Sequence, residues 1–139
     1  MKSNEKQIYG HDGENLPIIS DKQEVQRNSM RLYVYLVSIS RFEGKNKPRT
    51  FTNKDFTVNK IYKVLHMGPK TIKKYWELLE NYGLIKYEGP AHLNVSWDDM
   101  LNIRKKDGST YYSIPKKNPY RIMPRETLEK IQHEYLVDE

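Results

Sequence analysis

The chain contains no cysteine, and no apolar stretch in it approaches the ~20 residues that a helix needs to cross a bilayer. The absence of cysteine excludes disulfide bonds and thiolate metal sites. The N-terminal segment MKSNEKQIYGHDGEN is too polar for a signal peptide. We therefore expect a cytoplasmic protein that folds without disulfides and does not associate with a membrane.

Motifs that enzymes commonly use are also missing. The four histidines are His11, His66, His92 and His133. None has a second histidine two or four positions further on, so no metal-binding pair is present. No GxxxxGK or GxGxxG loop is present to bind a nucleotide. The adjacent Asp98 and Asp99 project differently and fit a helix cap better than an acid–base pair. We expect no catalysis, no metal and no cofactor.

Positive charge is concentrated in the middle of the chain. The net charge is +6, with ten Lys and Arg against two acids from Arg41 to Lys74. The segment from Ile122 to Glu139 is acidic instead, with two basic residues against five acids. This uneven distribution favours a polyanionic partner over a uniformly adhesive surface. A highly charged, solvated surface remains the alternative.

The length of 139 residues predicts one domain with tails. Residues 1–19 carry few apolar side chains and are interpreted as a flexible arm, with Leu16–Ile19 laid on the domain. The domain itself is predicted to span 20–139. Pro124 opens a last helix, about 124–137, because Leu128, Ile131 and Tyr135 recur at helical spacing.

The domain is predicted to begin with a helix that Ser20 or Asp21 caps and that runs to about Phe42, before Gly44. Its apolar positions predict one inner stripe: Val25, Ser29, Leu32, Leu36 and Ile39. A short strand is predicted at Thr50–Thr52. A second helix follows, capped by Thr57 or by Thr52 with Asp55. Its predicted apolar stripe is Val58, Ile61, Val64 and Leu65.

A tight turn, His66–Gly68, leads into a third helix, Pro69–Tyr82. Proline suits the first helical position, and Gly83 suits the left-handed residue that ends a helix. The apolar face of the third helix is predicted to be Ile72, Trp76 and Leu79. A short helix, a glycine-containing turn and a longer helix form the helix-turn-helix pattern.

Strands are predicted after the third helix. Leu84–Glu88 reads as one strand, and Asp107-Gly108 is a hairpin turn between Ile103–Lys106 and Ser109–Ile114. Residues 90–100 are open between a loop and a short helix near Trp97. One more short strand is predicted at Tyr120–Met123.

Five lysines and no acid lie between Phe56 and Trp76: Lys60, Lys63, Lys70, Lys73 and Lys74. Such lysines neutralise phosphates, and the N-terminus of the third helix adds a positive dipole. Lys70, Lys73 and Lys74 are candidates to contact base edges in a DNA major groove, and Thr71 a phosphate or thymine methyl. Tyr75 is predicted to flank the DNA backbone. A solvated helix face is the alternative for all of these residues.

The segment PKTIKKYWELLENYGLI (Pro69–Ile85), together with the hairpin RKKDGSTYYSIP (Arg104–Pro115), resembles a winged helix-turn-helix domain. The matching positions are Thr71, Ile72, Trp76, Leu79, Gly83, Leu84 and Ile85. The resemblance implies an α+β fold with a three-helix core and a β-hairpin wing, here with an extra C-terminal helix. The runs LYVYLVSISR and YRIMPRETLEKI are similar to segments of plasmid and phage replication initiators and replisome organisers of Gram-positive bacteria.

In a winged helix, Arg104, Lys105 and Lys106 would lie at the wing tip, next to the minor groove or its phosphates. A charged hairpin edge that keeps the protein soluble is the alternative. We expect a homodimer on DNA, and Leu78, the first helix and the last helix are candidate dimer contacts.

These observations predict sequence-specific binding of double-stranded DNA without catalysis, in replication initiation or DNA processing of a plasmid, phage or mobile element. Other replication or DNA-processing proteins are expected partners. A transcriptional repressor is the alternative within DNA binding. A protein–protein adaptor with an incidental basic face is the alternative outside it.

Overall fold

The structure is a computed structural model that describes residues 10–11, 17–44, 46–52, 55–56, 58–89 and 111–115. These residues form three helices and five short strands. The helices are α1 (Gln23–Ile39), α2 (Val58–Leu65) and α3 (Pro69–Asn81). The strands are β1 (Gly10–His11), β2 (Pro17–Ile18), β3 (Arg49–Thr52), β4 (Lys86–Gly89) and β5 (Tyr111–Ile114). This composition confirms the α+β class. No helix in these residues is long and apolar enough to cross a membrane.

The segment that precedes α1 is tied to the helix. Strands β1 and β2 form an antiparallel pair, and Ile19 directly after it is only 1% exposed. Both ends of the Gln26 amide bind this segment: its Oε1 accepts the Ile19 N–H over 2.9 Å, and its Nε2 donates to the Pro17 carbonyl over 2.8 Å. Pro17 and Ile19 are therefore held on the domain, as the sequence predicted for Leu16–Ile19, of which Leu16 lies outside the described residues.

Helix α1 lies at the centre of the molecule. Every residue from Ser29 to Val37 is buried, whereas the sequence predicted one inner stripe. The run LYVYLV is apolar on all sides, so the helix is covered on all sides. It packs against α3 and β3. The buried half of α1 has no free face for a dimer contact, which removes that part of the helix as a candidate.

Both ends of α1 differ from the prediction. The N-cap residue is Lys22, which makes no capping side-chain bond, and the Ser20 hydroxyl accepts the Lys22 N–H over 3.0 Å instead of capping the helix. The helix ends at Ile39, where the Ser40 hydroxyl and the Arg49 guanidinium both donate to the Val37 carbonyl and Arg49 also donates to the carbonyl of the C-cap residue Ser40. Side chains from outside the local pattern therefore decide where the helix stops.

Helix α2 is short and only partly covered. Ile61 and Leu65 are fully buried, as predicted, but Val64 is 42% exposed. The Asp55 carboxylate accepts the Thr52 N–H over 2.8 Å and closes a turn after β3, so it does not cap α2. The other predicted cap, Thr57, lies outside the described residues.

Helix α3 has the predicted start and inner face. It begins with Pro69, and Ile72, Trp76 and Leu79 are fully buried. Gly83 has φ 74°, and its N–H donates to the Glu80 carbonyl while the Leu84 N–H donates to Leu79. These two bonds form a Schellman motif, in which a left-handed residue lets the chain satisfy the last carbonyls. The strand predicted from Leu84 starts only at Lys86, because Leu84 completes this motif.

Strands β3, β5 and β4 form an antiparallel sheet in that order. Phe51 of β3 and Tyr87 of β4 lie on either side of Tyr112. A hairpin around Asp107-Gly108 would instead place Ile103 opposite Tyr112. The predicted pairing is therefore wrong at Tyr112, where both neighbouring positions are occupied by β3 and β4. Residues 103–108, 90–100, 120–123 and 124–137, on which other predicted elements fall, lie outside the described residues.

An aromatic cluster joins the sheet to the inner face of α3. The rings of Phe51 and Tyr112 stack with 5.4 Å between centroids, and Trp76 meets Tyr112 edge-on at 5.2 Å. Phe56 lies 5.1 Å from the Trp76 ring. These contacts hold α3 against the sheet by its apolar side, so its polar side faces away from the core.

Candidate nucleic-acid interface

The predicted basic residues of α2 and α3 lie on the surface. All five lysines and Thr71 are exposed: Lys60 and Lys63 on α2, and Lys70, Thr71, Lys73 and Lys74 on α3. Lys70 and Lys74 are one turn apart and lie opposite the buried face of α3. The structure thus places the predicted lysines at the surface. Arg104, Lys105 and Lys106 lie outside the described residues and stay predictions.

The charge at the N-termini of α2 and α3 is unfavourable for the isolated protein. Neither α2 nor α3 has an acid in its first turn, and the N-cap of α3, Gly68, makes no capping side-chain bond. Lysines near a helix N-terminus oppose the helix dipole, and the like charges of Lys70 and Lys74 repel each other by about 0.2–0.5 kcal/mol. A bound polyanion would relieve both costs. Glu77, the first acid of α3, comes after the first two turns.

Tyr75 is placed differently from the prediction. Its side chain is 3% exposed, and its hydroxyl accepts a hydrogen bond from Asn28 Nδ2 over 3.5 Å. Tyr75 lies three residues after Ile72 and four before Leu79, so it belongs to the buried face of α3. The prediction that Tyr75 lies at the DNA-facing surface is therefore wrong. Lys74 Nζ lies 5.3 Å from its ring centroid.

A buried arginine, which the sequence analysis missed, fixes the joint between α2 and α3. Arg31 of α1 is 6% exposed and donates to the Leu65 carbonyl over 2.9 Å. It also donates to Asn28 Oδ1 over 3.2 Å, and Asn28 contacts Tyr75. Helix α1 thereby holds the end of α2 and the middle of α3 together. The sequence signal that could have identified this residue is a single basic side chain, Arg31, within the otherwise apolar run Met30–Val37.

Two further exposed residues lie where α2 ends. Tyr62 is 54% exposed, and His66 is exposed with φ 59°. Sequence reasoning placed neither in the site. Tyr62 is flanked by Lys60 and Lys63, a spacing that could have indicated a contact residue.

One carboxyl group near the inner side of α3 is perturbed. Burial, and to a lesser degree the charge of Glu77, raises the pKa of Glu80 to about 7. Burial also raises the pKa of Tyr112, and Glu80 adds to that shift. Within the described ranges, no three His, Asp or Glu side chains are grouped in a way that could hold a metal ion.

Comparison with known proteins gives no match, so the functional interpretation is based on the residues described above. No protein family, no curated protein and no solved structure matches the chain.

Proposed function

We propose that the protein binds double-stranded DNA by placing the first two turns of α3 in the major groove. The observation that carries this proposal is the exposed, acid-free set of five lysines on α2 and α3. Their charge fits a partner with closely spaced phosphates. The width of the major groove admits an α-helix, and α3 is held to the core by its opposite side.

The roles of the residues follow from their positions. Lys70 and Lys74 lie on the outermost side of α3 and reach base edges, where guanine O6 and N7 are the preferred acceptors of a lysine. Lys73 and the Thr71 hydroxyl lie to the two sides of this line and contact phosphates. Lys60 and Lys63 of α2 neutralise phosphates of the strand beside the groove.

The order of elements supports a winged helix-turn-helix as the finer fold. Helix α1, β3, α2, α3, β4 and β5 follow each other along the chain, and β5 lies between β3 and β4 in the sheet. The wing then corresponds to residues 90–110, between β4 and β5, and it contains Arg104, Lys105 and Lys106. These cations contact the minor groove or its phosphates. We propose a homodimer on DNA, with two copies on a repeated site.

The biological setting rests on the resemblance to replication initiators. We propose that the protein acts in replication initiation or DNA processing of a plasmid, phage or mobile element, together with other replication proteins. Selection of bound fragments from the protein's own replicon at about 150 mM salt tests this setting. Repeats at an origin support it, whereas a site at the protein's own promoter indicates a repressor.

DNA binding itself is tested with two charge-matched double variants. Lys70→Ala/Lys74→Ala removes two cations from α3, and Lys22→Ala/Lys47→Ala removes two exposed cations elsewhere. Duplex binding is followed by fluorescence anisotropy over a range of salt concentrations. We expect the α3 variant to bind more weakly and to discriminate less between DNA sequences, because both lysines are assigned to base edges, and the control to resemble the wild type. No saturable binding by the wild type would overturn the proposal and favour a protein–protein adaptor.

A further inference from the structure

His66, at the joint between α2 and α3, has an unusual backbone. It is the only non-glycine residue with positive φ in the described part of the chain, at 59°. A left-handed conformation costs a residue with a side chain ~1 kcal/mol, whereas glycine adopts it freely. The His66 side chain is exposed. The strained position therefore presents a polar side chain to solvent, which is typical of functional sites.

Tyr62 lies one helical turn before His66. The His66 N–H donates to the Tyr62 carbonyl over 2.7 Å, so the two residues follow each other at the end of α2. The Tyr62 side chain is 54% exposed, so much of it is accessible to a ligand. A phenol and an imidazole are both hydrogen-bond donors to a phosphate oxygen, and the phenol ring also packs on a sugar.

The surroundings of this pair favour an anion. The carbonyl end of a helix is negative and would ordinarily repel a phosphate. Here Arg31 donates to the Leu65 carbonyl from the inside, and Lys63 lies in the last turn of α2. These two cations offset the negative end of α2, so a phosphate can approach Tyr62 and His66.

We infer that Tyr62 and His66 form a second DNA contact, which binds the sugar-phosphate backbone beside the groove that α3 enters. This contact rests on the proposed DNA binding. It is made by hydrogen bonds and by ring packing, in contrast to the lysine contacts of α3. The contact positions α3 relative to the DNA strand and does not depend on the base sequence.

Three variants test this contact on duplex DNA at pH 8. Tyr62→Phe removes only the hydroxyl, and His66→Gly removes the imidazole at a position that suits glycine. Val64→Ala is the control, because Val64 is exposed on the same helix but offers no hydrogen bond. We expect the first two to weaken binding about threefold to tenfold on every sequence, the range for one lost hydrogen bond.

The salt slope separates this contact from the lysine contacts. It should stay unchanged in Tyr62→Phe and His66→Gly, because neither variant removes a lysine or an arginine. His66→Gly should unfold at the same or a higher urea concentration than the wild type, so weaker binding cannot come from misfolding. Wild-type affinity in both variants, alongside weakened Lys70→Ala/Lys74→Ala, would overturn the inference but leave the proposed function. Absence of duplex binding by the wild type would overturn the proposed function itself.

Discussion

The Arg31 guanidinium of α1 donates to the Leu65 carbonyl at the end of α2, over 2.9 Å and across 34 positions of the chain. Leu65 is the last residue of α2, so its carbonyl has no partner within the helix. The bond anchors the joint between α2 and α3 to the central helix. Because the side chain is buried, water cannot replace it if it is removed.

Replacing this arginine should destabilise the fold. Arg31→Met keeps much of the apolar stem but leaves the Leu65 carbonyl buried without its donor. We expect the free energy of unfolding to fall by about 1–3 kcal/mol, measured by urea denaturation. Arg27→Met, at an exposed position of the same helix, should change it by about 0.5 kcal/mol or less. Equal stability of the two variants would contradict the role of Arg31.

Ser29 should be a site of stabilising substitution. Its hydroxyl is fully buried in α1 and has no hydrogen-bond partner among the described residues. Ser29→Ala removes the cost of burying it and improves helix propensity, so we expect a gain of about 1 kcal/mol. In Ser38 of the same helix, the hydroxyl donates to the Tyr35 carbonyl over 2.6 Å. Ser38→Ala should therefore bring no comparable gain in the same denaturation experiment.

Glu80 should make the stability depend on pH. Its pKa is about 7 in the folded protein against an ordinary 4.5, so folding takes up a proton between these values. The free energy of unfolding then falls as the pH rises from about 4.5 to 7. Allowing for partial exposure, we expect a loss of ~1–2 kcal/mol across this window.

Glu80→Gln tests this dependence, because glutamine does not ionise. Urea denaturation of the wild type and the variant at pH 5 and pH 8 isolates the contribution of Glu80 from that of other groups. The variant should lose less stability between the two pH values. If both proteins lose the same free energy of unfolding between pH 5 and pH 8, the result contradicts a raised pKa of Glu80 in the folded protein.

The same substitution should have different effects at the two ends of α3. Gly83 has φ 74°, so Gly83→Ser forces a side chain into the left-handed region and should cost ~1–2 kcal/mol. Gly68, the N-cap residue, has φ −76° and open space around a Cβ. Serine there can cap the helix, so Gly68→Ser should leave stability unchanged or raise it by a few tenths of a kcal/mol. Thermal melting of both variants checks the difference.

The region from Ile61 to Gly83 was the most predictable part of the fold. Pro69 and Gly83 act on the backbone through their own φ preferences, and the buried face of α3 repeats at helical spacing. The exposed lysines followed from the same periodicity, because residues opposite an apolar face point to solvent. Tyr75 also followed this periodicity, and its assignment to the surface overlooked the spacing to Ile72 and Leu79.

Neighbours in space, by contrast, were not predictable from local patterns. The strands that pair with β5 at Tyr112 are β3 and β4, which come from distant parts of the chain, whereas the hairpin signal at Asp107-Gly108 pointed to Ile103. The early end of α1 depends on Arg49, a residue of β3. The burial of Arg31 depends on a carbonyl that only the folded chain brings near it.

The sequence by itself determined the α+β class, the helix–turn–helix succession and the basic side of α3, because propensity, proline and glycine placement and helical periodicity act over a few residues. Only the tertiary structure decided the strand order, the complete burial of α1, the anchoring of α2 by Arg31 and the exposure of Tyr62 and His66. Those features depend on contacts between residues far apart in the chain, and packing rather than local preference selects them.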